Sequence, residues 1–193
     1  MNHPVREHTI IRTFFDVNIR PKTLVICDID HTILTWPKTK QDFNDLYFNK
    51  TPFGLGSMFR TISEVSGLSK IINSEYAQYC ANTPPIPTDF YGFRDMDETL
   101  SRSGGKIIFL TSRWRESHDY TLTQFRMLGL KDNPVIYYTN GSHDKGLFIK
   151  QHLGATVLEY NHIAFIDDLQ EVLDSVISQH PHIFCYKFVR TSL

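Results

Sequence analysis

Five short apolar runs, separated by segments with helical periodicity, constrain the fold of this chain more than any other feature. Each run is nearly continuous and rich in β-branched or aromatic residues, a pattern typical of strands buried on both faces of a parallel sheet. The runs span residues 23–29, 106–110, 135–138, 163–166 and 183–189. Alternation of such strands with helices predicts right-handed crossovers and a three-layer α/β/α sandwich.

The segments between the runs carry apolar residues at helical spacing. A helix is predicted over residues 122–128 with a stop at Gly129. Another is predicted over residues 147–153 and is closed by Gly154. The clearest pattern, over residues 169–177, repeats at i, i+3, i+4, i+7 and i+8 and predicts a helix with one buried face.

About 75 residues separate the first two predicted strands, far more than an ordinary crossover needs. Three stretches within residues 43–79 have helical periodicity, which favours a helical insert over a structureless loop. We therefore divide the chain into a core of residues 1–35 and 94–193 and a helical insert of residues 36–93.

Composition and charge exclude several classes of protein. The 193 residues are 41% hydrophobic and 21% charged, as in ordinary globular proteins, and carry a formal net charge of −1. No run of basic residues interleaved with aromatics indicates nucleic-acid binding. There is no apolar stretch of about 18 residues that would span a membrane and no leader-like segment, so we expect a cytoplasmic protein. Cys27, Cys80 and Cys185 lack metal-ligand spacing, which predicts reduced, buried thiols.

Polar and charged residues follow the predicted strands, at the sheet edge where parallel α/β proteins bind ligands. Acidic, hydroxyl and cationic groups come together there from residues 28–32, 111–113, 144–146 and 167–168. The sequence therefore predicts one site built from several remote segments.

These segments resemble the haloacid dehalogenase-like superfamily of phosphohydrolases. The family's four motifs are matched in chain order by Asp28-x-Asp30-x-Thr32, Thr111, Lys145 and Asp167-Asp168. The insert stands where that family carries a type 1 cap, and the Thr-Ser-Arg form of the second motif is most similar to the acid-phosphatase-like branch. The resemblance covers residues 23–33 and 106–189. It implies a Rossmann-like core whose predicted strands, numbered along the chain, lie in the order 5-4-1-2-3.

The resemblance also implies a phosphatase that uses Mg²⁺, and the size of the insert favours a small or medium phosphorylated substrate. Mg²⁺ suits this set because it is a hard cation that prefers oxygen ligands. The expected ligands are Asp28, Asp167, Asp168 and the backbone carbonyl of Asp30. Asp28 is the expected nucleophile and forms an aspartyl-phosphate, Asp30 is the general acid and base, and Lys145 neutralises charge.

Substrate contacts are expected from Thr111, Ser112 and Arg113, with Thr32 fixing the catalytic loop. Some of these assignments have alternatives. Lys150 could replace Lys145, Arg113 could instead pair with a carboxylate of the insert, and Ser112 could be a loop hydroxyl.

Two other functions stay open on the same residues. A phosphotransferase would pass the phosphoryl group to an alcohol instead of water. A non-catalytic binding or regulatory protein of this fold would be expected to lack Asp28, Asp30 or Lys145, and none is missing. Glu171 stands where many family members carry Asp or Asn, which leaves the outermost metal contact open.

Overall fold

The chain consists of two compact units, one of residues 1–35 and 87–193 and the other of residues 36–86. A computed structural model describes residues 7–38, 42, 75–76, 78–80 and 82–190.

A six-stranded parallel sheet forms the centre of the larger unit. The strands in chain order are β1 (Thr9–Ile11), β2 (Thr23–Cys27), β3 (Leu34–Thr35), β4 (Ile86–Pro87), β5 (Lys106–Thr111), β6 (Ile136–Tyr138), β7 (His162–Asp167) and β8 (Phe184–Phe188). The sheet has the order β1-β8-β7-β2-β5-β6, and β3 and β4 are not part of it. The five predicted strands all form. β1 was not predicted, because it has three residues and only Ile11 is buried.

Helices cover the sheet, which confirms the predicted α/β Rossmann-like fold. They are α1 (Phe90–Arg102), α2 (His118–Met127), α3 (Lys145–Phe148), α4 (Gly154–Leu158) and α5 (Gln170–Gln179). A π-helical turn over Ile149–Leu153 joins α3 to α4, and 3-10 turns lie at Phe14–Asp16 and Arg115–Ser117.

The helix that was predicted to end at Gly154 continues to Leu158, so that prediction was wrong. Gly154 has helical dihedral angles, with φ at −53°. Val157, one turn later, is buried in the same apolar cluster as Ile149 and Leu153. Burial of Val157 outweighs the weak helix preference of glycine, and the chain stays helical past it.

The core explains why the strand residues form continuous apolar runs. All five residues of β2 are buried. Leu24 and Ile26 pack in one cluster with Val172 and Leu173 of α5. The other face of the sheet carries Phe109, whose ring contacts neighbouring aromatic rings. A strand covered on both faces needs apolar residues at every position.

The insert is shorter than predicted. The prediction placed its end at residue 93, whereas the smaller unit ends at Ile86. Phe93 of α1 is fully buried, with its ring centroid 5.8 Å from that of Phe14 and 6.3 Å from that of Phe109. The helix therefore belongs to the core unit.

In the smaller unit, Trp36 is buried, and its indole N–H lies 3.1 Å from the carbonyl oxygen of Cys80 and 3.2 Å from that of Thr83. The described residues between 75 and 80 are helical, as predicted. The predicted helical stretches at residues 43–47 and 55–65 lie outside the described residues.

All three cysteines are buried thiols, as predicted. Among the helices that the structure describes, none combines the length and the apolar character that crossing a membrane requires.

Candidate active site

Strand register brings the first and fourth motifs side by side. In the parallel pair β2 and β7, Cys27 lies opposite Ile166. The backbone N–H of Asp28 donates to the carbonyl oxygen of Ile166 at 2.9 Å. Asp28 and Asp167 therefore stand next to each other at the carboxyl edge of the sheet, where ligands bind in such folds.

Lys145 joins these two carboxylates. Its Nζ donates to Oδ1 of Asp28 and, at 2.8 Å, to Oδ2 of Asp167. Lys145 is 1% exposed, Asp167 is 1% exposed and Asp28 is 6% exposed. Charged groups are rarely buried this deeply unless they are paired, and here Lys145 pairs with both carboxylates.

The position of Lys145 is fixed by the start of α3. Asp144 caps this helix, since its Oδ1 accepts from the backbone N–H of Leu147 at 3.0 Å. The same oxygen accepts from the Ser175 hydroxyl of α5 at 2.6 Å. A Cβ atom on Gly146 would lie 2.4 Å from the carbonyl oxygen of Ser175. Only glycine allows α3 to approach α5 this closely, and that approach holds Lys145 against the sheet.

A third carboxylate completes a possible metal site. Oxygens of Asp28, Asp167 and Asp168 lie within 4.8 Å of one another. Burial raises the pKa of Asp28 well above its usual value, although Lys145 lowers it in part. Burial and the neighbouring Asp167 raise the pKa of Asp168 to about 7. The ammonium group of Lys145 therefore does not balance the negative charge of the cluster.

Lys145 itself stays charged in this environment. Burial alone would lower its pKa, but Asp167 and Asp28 raise it above the usual value for lysine. Lys150, the alternative that the sequence left open, is exposed and lies within the π-helical turn.

Asp30 and Arg113 form a two-pronged ion pair. Nε of Arg113 donates to Oδ2 of Asp30 at 2.9 Å, and Nη2 donates to Oδ1 at 2.7 Å. Burial would raise the pKa of Asp30, but the charge and hydrogen bonds of Arg113 lower it overall. Asp30 is therefore held as a carboxylate in a fixed orientation.

Arg113 is anchored from its other side by α2, a contact that the sequence analysis missed. Its Nη1 donates to Oγ1 of Thr121 at 2.9 Å and to Oε1 of Gln124 at 2.7 Å. Both side chains are buried on the face of the helix that also buries Phe125. Two polar residues at i and i+3 on an apolar helix face are the signal that could have identified them, because buried polar groups need partners.

The remaining predicted residues lie around this cluster. Oγ1 of Thr32 donates to Oδ2 of Asp28 at 3.3 Å. Thr111 is buried, and its Oγ1 accepts from the backbone N–H of Arg113 at 3.2 Å. The hydroxyl of Ser112 donates to the carbonyl oxygen of Ser142 at 3.1 Å, which is the loop contact that the sequence left open. Glu171 is exposed and pairs with Nδ1 of His143 at 2.6 Å, outside the three-carboxylate group of Asp28, Asp167 and Asp168.

Several solved structures resemble this chain, and one of them does so along most of its length. It is a crystal structure of a protein described as a haloacid dehalogenase-like hydrolase, from Burkholderia xenovorans LB400. The two chains share 12% sequence identity with a TM-score of 0.51, over 89% of this chain and 84% of that one. The chain has the fold of that hydrolase. No protein-family model matches the sequence, and no curated protein matches it. At 12% identity this likeness shows the fold alone.

Proposed function

We propose that this protein is a Mg²⁺-dependent phosphomonoesterase that works through an aspartyl-phosphate on Asp28. The observation that carries the proposal is the buried cluster in which Asp28 and Asp167 bind Lys145 while Asp168 lies alongside. Burial of so many charged groups is costly for stability, and groups with shifted pKa values concentrate at functional sites.

The donor set fits a divalent cation. The three carboxylates would hold Mg²⁺ together with the backbone carbonyl of Asp30, and hard oxygen ligands are those that this ion prefers. The raised pKa values of Asp28 and Asp168 also favour a bound cation, because added positive charge would favour the ionised forms of both carboxyl groups. Bound there, Mg²⁺ would supply the charge that lets an anionic nucleophile approach an anionic ester.

Asp28 is the nucleophile of the proposal because of its place and its bonding. Its Oδ1 accepts from Lys145, whereas Oδ2 has only the long bond from Thr32 within the described part of the chain. An oxygen of Asp28 forms the bond to phosphorus as the bond from phosphorus to the leaving oxygen breaks. Water then attacks the same phosphorus and releases Asp28, so that one displacement becomes two.

Asp30 acts as the general acid and general base of the proposed reaction. In the first step the protonated form of Asp30 donates its proton to the leaving oxygen and becomes a carboxylate, and in the second step that carboxylate accepts a proton from the attacking water. Arg113 favours the ionised form, which suits the second step. Aryl phosphates depend least on protonation of the leaving group, so 4-nitrophenyl phosphate is a suitable assay substrate.

Lys145 and Thr111 complete the proposed mechanism. Lys145 orients Asp28 and would neutralise charge on the phosphoryl group. The hydroxyl of Thr111, at the carboxyl end of β5, would donate to a phosphoryl oxygen.

The replacement Asp28→Asn tests the proposal. With 4-nitrophenyl phosphate and Mg²⁺, we expect turnover to fall by roughly 10³-fold or more, because the amide is not a nucleophile. Asp95→Asn is the matched control, since it makes the same change on an exposed position of α1. Circular dichroism and a thermal melt check that both variants fold. Undiminished turnover in a folded Asp28→Asn protein would remove Asp28 from the nucleophile role.

A further inference from the structure

A cavity of about 650 Å³ lies beside β6, the edge strand of the sheet. We call it the β6 cavity, and its lining includes Arg115, His118, Tyr137, Tyr138, Phe148 and His152. None of the residues placed in the proposed reaction lines it. Its volume is within the range of small-molecule sites, which is about 300–1,000 Å³.

Aromatic rings dominate its walls. The ring centroids of Tyr137 and Phe148 are 6.3 Å apart, and those of Phe148 and His152 are 4.6 Å apart. His118 packs against Tyr138 at 5.8 Å and shares a hydrogen bond of 3.1 Å with its hydroxyl. Such ring surfaces favour a planar aromatic ligand, which can stack or make edge-to-face contacts.

The charge of the lining favours an anion. Within the described part of the chain, no side chain pairs with the guanidinium of Arg115. None of the side chains that line the β6 cavity is a carboxylate. The chain as a whole has a net charge of −1, so the cavity differs from the average surface. The planar fork of arginine suits recognition of phosphate or carboxylate groups.

The rim that carries Arg115 is held in place before any ligand arrives. The backbone N–H of Arg115 donates to Oδ1 of Asn140 at 2.9 Å. Asn140 and Gly141 both have left-handed backbones, with φ of 53° and 88°. The N–H of Gly141 donates to the carbonyl oxygen of Ser112 at 2.8 Å. The indole of Trp114 lies 3.3 Å from where a Cβ on Gly141 would be, so the loops after β5 and β6 are packed together.

We propose that the β6 cavity is a binding site for a small aromatic phosphate, a planar ring that carries an anionic group. The ring packs against the aromatic walls of the cavity, and the anion binds Arg115. Mononucleotides and simple aryl phosphates share this chemistry. The site is separate from the proposed hydrolytic centre and does not depend on it.

Isothermal titration calorimetry of the full chain tests the proposal. The probes are adenosine 5′-monophosphate, adenosine and ribose 5-phosphate, with EDTA present so that metal-dependent hydrolysis does not consume them. We expect the monophosphate to bind at least about tenfold more tightly than either fragment, because only it supplies both ring and anion. 4-Nitrophenyl phosphate as a fourth probe separates nucleotides from aryl phosphates in general.

Two variants test whether the monophosphate binds in the β6 cavity. Arg115→Gln removes the cation and Phe148→Leu removes a ring, and each is expected to weaken binding of the monophosphate by about tenfold. Arg126→Gln is the matched control, because it removes the same charge from an exposed position of α2 outside the lining. Unchanged binding in Arg115→Gln, or no binding of the monophosphate by the wild type, overturns the proposal. Because the readout is binding, loss of the hydrolase proposal would leave this test unaffected.

Discussion

At the scale of single residues, the pairing of Arg113 with Asp30 is the least expected feature of the site. The sequence analysis expected Arg113 to contact substrate or a carboxylate of the insert. The structure instead places it against the predicted general acid, with α2 holding its other side. Arg113 is thereby a candidate positioning residue, which acts on the reaction through Asp30.

Arg113→Lys separates positioning from substrate binding. Lysine keeps the charge but cannot form the two parallel bonds, so Asp30 loses its fixed orientation. We expect kcat for 4-nitrophenyl phosphate to fall by about 10- to 100-fold with little change in KM. Arg102→Lys, which alters an exposed pair with Glu98, should change neither constant. A rise in KM at unchanged kcat would instead assign Arg113 to substrate.

His162 supplies a prediction about pH and stability. His162 is 4% exposed, and within the described part of the chain its Nε2 has no hydrogen-bond partner. Burial and the nearby charge of Arg20 lower the pKa of His162 below its usual value of 6.5. Below pH 6.5 the unfolded chain therefore binds a proton more readily than the folded chain, and His162 reduces stability as the pH falls.

Urea unfolding between pH 5 and 8 measures this effect. In His162→Gln, the decline of the unfolding free energy below pH 6.5 should be shallower than in the wild type. Thr123→Ser, which changes an exposed position of α2 without removing a titratable group, should keep the wild-type slope. Equal slopes in the wild type and His162→Gln would contradict the prediction.

At the scale of elements, the contact between α3 and α5 decides where Lys145 lies. The two helices meet at Gly146 and Ser175, and Asp144 adds a side-chain bond across the same contact. Lys145 stands between Asp144 and Gly146 in the chain. A change in helix spacing would therefore move the ammonium away from Asp28.

Gly146→Ala should be destabilising and impair activity together. The added methyl group overlaps the backbone of Ser175, which we expect to cost about 1–3 kcal/mol of unfolding free energy. Gly154→Ala is the control, since its Cβ meets nothing within 4 Å and its φ of −53° is helical. That variant should be neutral or more stable by up to about 1 kcal/mol. Denaturant melts and kcat measurements on both proteins give the comparison, and equal stability of the two variants would refute the account of the helix contact.

The elements that the sequence predicted well are those with a strong local signal. β2 and β7 are continuous apolar runs that end in aspartate, and parallel topology then brings Asp28 and Asp167 to one edge. Features that depend on partners distant in the chain could not be predicted from the local sequence. Nothing local marks β1, nothing beside Gly154 shows that the helix continues, and the partner of Arg113 lies 83 positions away. The end of the insert was misplaced because α1 has the same helical pattern whether it packs on the core or not.

At the scale of the whole molecule, the chain is nearly neutral, but one edge of the sheet brings together the carboxylates of Asp28, Asp167 and Asp168. Three carboxylates there face one lysine, and Arg113 already pairs with Asp30. A cation that binds this edge binds only the folded chain, because the unfolded chain does not bring the carboxylates together.

Mg²⁺ is therefore expected to raise the melting temperature. Saturation at a hundred times the dissociation constant would add about 2.7 kcal/mol to the unfolding free energy. Differential scanning calorimetry with MgCl₂ and with EDTA measures the shift. Asp168→Asn should reduce the shift and Asp95→Asn should not, whereas an equal shift in both variants would exclude Asp168 as a ligand.

Sheet order has a consequence for biosynthesis. β1 pairs with β8, and β2 lies between β5 and β7. Each early strand can therefore form its sheet hydrogen bonds only after a much later strand has been synthesised. On the ribosome, the fully apolar β2 emerges well before either neighbour exists. Nascent chains with an uncovered apolar strand are prone to aggregate, and we expect this protein to need chaperone protection until β7 has been synthesised.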